Sequence, residues 1–473
     1  MTPEPTLATG PSTALTPSAP ALRRTLGVGS LVFMVVAAAA PLTVVGGTVP
    51  LVFSTSQSTG VPAHYLIAAV VLTVFSVGFT TMSRYVHNAG AFYTYVRAGL
   101  GKFAGTGSAT LALFSYAVLA ISVYAYCGAA TTNALDHYFG ISTPWWVWTG
   151  LTALLVAWLG YRDIELSSKV LGLLLVGEVA VILILDVAVI ARGGHSSLTW
   201  SPFSPVSASE GNPGIGLMFA FFGFIGFEAT AVFRDETRDP HRTIPRATYI
   251  AVISIGLFYA LSSWAIAMGS GVTRVVSDST ADPEGLVVTL AGDYVLPVLG
   301  DIIQVLLVTS LFACVLSFHN VVTRYQYALG AERVLPARLG RIHPTHGAPS
   351  WSSLVQSAVS AVALVAVAAA GLDPVTQIYA WLSGAATLGL LLLMSLTSVA
   401  VIVYFARHAT AHSRWRTLVA PALALAGLLG VTVLVVDNFP LLVGGTAVAW
   451  AMAGAVALSF AVGVVLVTRN RAV

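Results

Sequence analysis

Twelve times between residues 27 and 467 the chain runs for nearly a membrane's thickness with few charged residues inside the run, and with none in eight of the twelve. The apolar stretches fall at 27–53, 62–80, 103–130, 144–160, 168–191, 214–233, 246–270, 292–320, 351–371, 377–405, 417–436 and 443–467. About twenty such residues let a helix cross the hydrocarbon core, and continuous rather than alternating hydrophobicity reads as helix. Charged residues make up 9% of the chain, against about 25% in soluble proteins, so too few exist to cover a water-facing surface. The expected class is an all-α integral membrane protein with twelve transmembrane helices.

Sidedness follows from lysine and arginine, which are retained in cytoplasmic loops. Arg23 and Arg24 precede the first span; alternate loops then hold Arg84, Arg97 and Lys102, Arg162 and Lys169, Arg234 to Arg246, Arg324 to Arg341, and Arg407 to Arg416, with Arg469 and Arg471 at the end. Only Arg192 and Arg274 fall on the other side. Both termini are therefore expected in the cytoplasm, with the chain multi-pass in the plasma membrane. The formal net charge of +3 is used up in this asymmetry and gives no basis for a nucleic-acid partner. Residues 1–24, rich in Pro, Thr, Ser and Ala, read as a disordered cytoplasmic tail, without the charged start and apolar core of a signal peptide.

Two spans break their own pattern. The first reads VVAAAAPLTVVGGTVP, with Pro41, Gly46 and Gly47, and the sixth reads FFGFIGFEA, with Gly223 and Gly226. Proline removes a backbone donor and glycine lowers the cost of leaving helical geometry. Non-helical backbone at membrane depth persists only where it is buried in protein or lines a cavity. Breaks five spans apart suit two inverted five-helix repeats, 25–191 and 214–405, with 417–467 as two peripheral helices. Half-helix N-termini attract a substrate carboxylate and free carbonyls attract an ammonium. Gly46, Gly47 and Thr48 are expected to serve the anion; Ala39, Ala40 and the backbone from Phe222 through Gly223 to Ile225 are expected to serve the cation. Phe222 and Phe227 flank the second break and are the aromatics expected at the substrate; Tyr116, Tyr124, Tyr126 and Trp381 are the other candidates for a pocket wall.

Ionisable groups in the middle of membrane helices are costly, so each is a functional candidate. Glu178 lies mid-span in LLVGEVAVIL, and Glu228 opens the second half of the sixth span. Glu178 is expected to exchange protons with transport. Glu228 is expected either to tie down the opened first helix or to gate. Asp186 and Asp301 lie nearer the outer ends, where water would solvate them. A sodium ion would need hydroxyl and carbonyl ligands between the first and eighth spans, for which Thr309 and Ser310 are available. Cys127 and Cys314 lie inside apolar runs and read as buried thiols.

The stretch FFGFIGFEATAVFRDETRDPHRTIPRA, residues 221–247, resembles the sixth-helix and following-loop signature of the amino acid-polyamine-organocation (APC) superfamily of permeases. NAGAFYTYVRAGLG at 88–101 and FHNVVTRYQYALGAERVLPARLGRIHPTHGAPS at 318–350 resemble its second-to-third-helix loop and its eighth-helix end. The resemblance implies a ten-helix core of two inverted repeats, alternating access, and substrates bearing an amino group. The chain departs from the family at the first break, which commonly reads Gly-x-Gly, and at Glu178, where several sodium-independent members resemble one another in carrying a lysine. The reading is a secondary transporter of an amino acid or related amine, coupled to protons, with sodium as the other candidate ion. A polyamine or amino-alcohol permease, or an amino acid exchanger, remains open. HExxH, GxSxG and GxxxxGK[ST] motifs are absent from the sequence, so neither an enzyme nor ATP-driven transport is expected, and no cofactor or metal is required.

Overall fold

The computed structural model describes residues 26–86, 91–162, 168–232, 237–343, 348–408 and 413–469. The N-terminal tail and the charged residues Arg234, Asp235 and Glu236 lie outside them. Among the described residues, ten helices are long and apolar enough to cross a membrane. The fourth expected span is present as a separate helix, Trp145–Arg162, and the sixth as two pieces, Pro213–Phe222 and Ala229–Val232; these stand outside the ten.

In chain order the helices are α1 Val28–Ala38, α2 Val49–Ser56, α3 Val61–Met82, α4 Ala91–Leu100, α5 Lys102–Phe139, α6 Trp145–Arg162, α7 Ser168–Ala191, α8 Pro205–Ser209, α9 Pro213–Phe222, α10 Ala229–Val232, α11 Pro240–Ser270, α12 Val275–Ala281, α13 Leu286–Tyr294, α14 Pro297–Ala331, α15 Ser350–Ala369, α16 Ala380–Arg407, α17 Ala420–Leu442 and α18 Thr446–Arg469. At 1.5 Å per residue, the 38 residues of α5 extend for about 57 Å, well over the thickness of a core of about 30 Å.

Burial sorts the helices into centre and rim. The most apolar window of α5 is 78% buried, whereas those of α17 and α18 are 33% and 17% buried. Leu151, Leu154 and Trp158 on α6, Val362 and Val365 on α15, and Trp450 and Leu458 on α18 stay exposed. An apolar rim this extensive is stable against lipid and not against water. Inside it, α3 packs on α11, and α5 packs on α14, α16 and α18. Small residues allow these close approaches: a Cβ at Gly256 of α11 would run into Ala69 of α3, and one at Gly389 of α16 into Ser115 of α5. Cys127 and Cys314 are free and buried.

Candidate functional site

The first helix opens earlier than its glycine pair suggests. α1 ends at Ala38, and Ala40 takes φ +46°, a left-handed conformation uncommon for a residue with a Cβ. Pro41 then starts the second half, where the amide it lacks would be unbonded in any case. Gly46 and Gly47 lie within a wide π-helical turn, Thr43–Thr48, that leads into α2. The break is therefore at Ala39–Ala40, and the amides nearest it belong to Leu42 and Thr43, not to Gly46, Gly47 and Thr48. The glycines serve close approach instead: a Cβ on Gly47 would collide with the Tyr126 ring of α5.

The sixth span opens where the sequence places it. α9 stops at Phe222, six residues run through tight turns, and Gly226 takes φ +110°. The two breaks lie against each other. A Cβ at Gly226 would stand 3.1 Å from the Ala38 Cβ, and one at Gly223 would stand 3.1 Å from the Tyr259 ring and 3.3 Å from Val44. The Tyr259 hydroxyl of α11 donates to the Ala39 carbonyl at 3.1 Å, satisfying a carbonyl that the end of α1 leaves free.

Three aromatics gather over the Gly47–Thr48 end of the wide turn that follows the first break. Tyr126 and Tyr379 lie 4.8 Å apart between ring centroids, and Phe222 meets Tyr379 edge-on at 5.8 Å. The Tyr379 hydroxyl is 2.6 Å from that of Thr48, while the Tyr126 hydroxyl is buried with no hydrogen-bond partner. Tyr379 escaped the sequence reading, which pointed to Trp381. Two residues apart on a helix place them on nearly opposite faces; Tyr379 is fully buried and Trp381 partly.

On the other side of the second break is a cavity lined by Leu72, Tyr116, Phe221, Ile225, Phe227 and Glu228, among others. Phe227 packs into an aromatic cluster with Phe75, Phe79 and Phe92. Glu228 is 7% exposed. Its Oε2 accepts the Gly226 amide at 3.0 Å and its Oε1 accepts the Tyr116 hydroxyl. Glu228 thus ties the sixth-helix break to α5 and makes no recorded bond to the first helix. Contact with that helix is made by Gly226.

Glu178 is buried on α7. Its Oε2 accepts the Ser310 hydroxyl of α14 at 3.0 Å and the Leu42 amide at 3.4 Å, and the Thr43 hydroxyl donates to Ser310 at 3.1 Å. One carboxyl therefore links α7, α14 and the start of the reopened first helix. Thr309 takes no part: its hydroxyl returns to the Leu306 carbonyl, and it lines a separate crevice with Cys127 and Thr152. Asp186 is not solvated as its sequence position suggests; it is 6% exposed.

The family model described as amino acid permease matches residues 26–465. Over 312 residues the chain is 24% identical to the branched-chain amino acid permease BcaP of Bacillus subtilis, covering 61% of this chain and 64% of that protein. Over 302 residues it is 24% identical to BcaP of Lactococcus lactis, covering 60% and 63%. The uncharacterized transporter Rv1999c of Mycobacterium tuberculosis is 29% identical over 311 residues, covering 64% and 65%. The matches thus span a little under two thirds of these relatives' own lengths. With the family model running from the start of the first helix nearly to the end of the last, the chain belongs to the amino acid permease family of the APC superfamily.

Proposed function

We propose that this protein is a secondary transporter that moves an amino acid across the plasma membrane by alternating access, coupled to protons through Glu178. Twelve crossings, two inverted repeats at 25–191 and 214–405, and cytoplasmic termini are part of the same reading. The observation that carries it is the position of Glu178, bonded at once to Ser310 and to the Leu42 amide at the first-helix break. An ionised Glu178 accepts both hydrogen bonds and holds the break against α7 and α14. A protonated Glu178 is a weaker acceptor and frees the Leu42 amide, so proton and substrate compete for or share the same backbone. The substrate carboxylate is assigned to the amides after Pro41, and the ammonium to the carbonyls of Phe222, Gly223 and Ile225.

The small cavity beside the second break is walled largely by leucine, isoleucine, phenylalanine and methionine side chains and has room for about one water; widened as the carrier opens, such walls would suit a substrate with an apolar side chain. The names of the two BcaP relatives point the same way, so branched-chain amino acids are the first substrates to try. A diamine would need a second free carboxylate, and Glu228 is engaged by Tyr116 and Gly226.

The test is uptake by purified protein in liposomes, with labelled leucine, lysine and putrescine under a proton gradient, a sodium gradient or neither. Leucine is expected to accumulate with the proton gradient alone, and Glu178→Gln to lose that response. Accumulation driven only by sodium, or only by exchange against preloaded substrate, would remove Glu178 from coupling.

A further inference from the structure

A second carboxyl on α7 is left unused by this scheme. Asp186 stands eight residues beyond Glu178, about 12 Å further along the helix. Its Oδ2 accepts the Ser262 hydroxyl of α11 at 2.6 Å, and its Oδ1 is buried with no hydrogen-bond partner among the described residues. A carboxylate oxygen left bare inside a membrane-embedded bundle is costly. A proton on Oδ1 removes the charge without disturbing the Ser262 bond, so the geometry provides a free protonation position.

The face of α11 that holds Asp186 also leads to the first-helix break. Tyr259 is three residues before Ser262, hence its neighbour on the helix surface, and its hydroxyl donates to the Ala39 carbonyl. Leu42, three residues after Ala39, is bonded to Glu178. Ser262 and Tyr259 thus sit as neighbours on α11 between the two carboxyls, each bonded elsewhere: Ser262 to Asp186 and Tyr259 to the Ala39 carbonyl. The other elements packed against α7 are α1, α13 and α14. α1 has no ionisable side chain. On α14, Cys314 is buried and Asp301 accepts from Tyr138 at 2.9 Å. On α13, Tyr294 donates to the Gly269 carbonyl at 3.0 Å, and Arg192, past the end of α7, donates to the backbone carbonyl of Asp293 at 3.0 Å. His241, Arg242 and Arg246 of α11, and His319 and Arg324 of α14, belong to the opposite ends of those helices. No recorded hydrogen bond or ion pair joins a cation to Asp186 among the described residues.

We propose that Asp186 is the outward proton acceptor of the carrier, taking a proton from the external water on Oδ1 while Ser262 holds Oδ2, and giving it up to Glu178 when the carrier changes conformation. The inference rests on the proton-coupled reading of Glu178. In balance, one proton binds Asp186 Oδ1 from outside. That proton then leaves Oδ1 and binds Glu178, so that Asp186 ends ionised, Glu178 ends protonated and the Ser262 and Tyr259 hydroxyls keep their own protons throughout.

The experiment measures proton-driven accumulation and exchange in liposomes at fixed internal pH while external pH is varied. Asp186→Asn is expected to lower the ratio of accumulation to exchange by about tenfold or more, and Asp186→Glu to restore most of it. A proton-driven wild type whose Asp186→Asn variant keeps the same external-pH profile would overturn this inference alone. A wild type indifferent to the proton gradient would remove the Glu178 reading and this one together. Wild-type protein offers a readout independent of folding of the variants: a lipid-soluble carbodiimide, which reacts with protonated buried carboxyls, is expected to modify Asp186 increasingly as external pH falls. Absence of that modification, as judged by peptide mass spectrometry, counts against the proposal.

Discussion

Single residues of this protein show most clearly where a local rule is broken for a tertiary purpose. Gly226 combines φ +110° with a Cβ position 3.1 Å from Ala38. A β-branched residue there would be strained by about 1–3 kcal/mol and would push the two broken helices apart. Gly226→Val is expected to reach the membrane normally, because the exchange stays apolar, and to lose uptake by about tenfold or more, a loss equivalent to about 1.4 kcal/mol. Uptake at the wild-type rate would show that transport does not need the left-handed backbone at this position. Gly226 and Glu228 were legible in the sequence because each is an anomaly in an apolar run. Asp186 was misjudged because its distance from the span's end suggested water, while α11 supplies Ser262 and buries it. Ala39 and Ala40 were candidates only as carbonyls ahead of Pro41; the left-handed turn at Ala40 left no signal, since alanine is an ordinary helix residue.

Among the elements, the hairpin formed by α12 and α13 carries a carboxyl placed to make its packing depend on pH. α12 packs against α2, and the connection between α12 and α13 places Glu284 beside α5, where it accepts the Asn133 side-chain amide at 2.7 Å. Burial, and after it the carboxylates of Asp373 and Asp282, raise the Glu284 pKa from its ordinary 4.5 to about 7. The closed hairpin therefore binds a proton that the open, solvated one has lost. Its contribution to closure is complete below 4.5 and is lost as pH rises through about 7. Hydrogen exchange across residues 275–294, corrected for the intrinsic pH dependence, is expected to quicken over that window in the wild type and to stay flat in Glu284→Gln. An identical response in both would mean that another group controls the hairpin. In sequence this segment reads as a polar loop, and its position over the site comes from the length of α5, whose C-terminal end meets it.

For the molecule as a whole, the arrangement of basic residues predicts that α12 faces outward and the connection between α16 and α17 faces the cytoplasm. The two native thiols are buried, so cysteines introduced at the exposed Ser277 and Ser413 report cleanly. A membrane-impermeant maleimide is expected to label Ser277→Cys on intact cells and Ser413→Cys only after permeabilisation. The reverse pattern would invert the topology. What the sequence by itself determined is the class of the molecule and the regions that leave regular helix: transfer free energy is a sum over neighbouring residues, so apolar spans and their interruptions at Pro41, Gly223 and Gly226 are written locally. Only the tertiary structure decided that the first helix turns left-handed at Ala40 ahead of its glycine pair, that Tyr126 and Tyr379 pack over Gly47 and Thr48, and that Glu178 meets Ser310, 132 residues away along the chain. Those choices come from which helix faces press together, and side-chain packing between distant segments leaves no periodic trace in either segment alone.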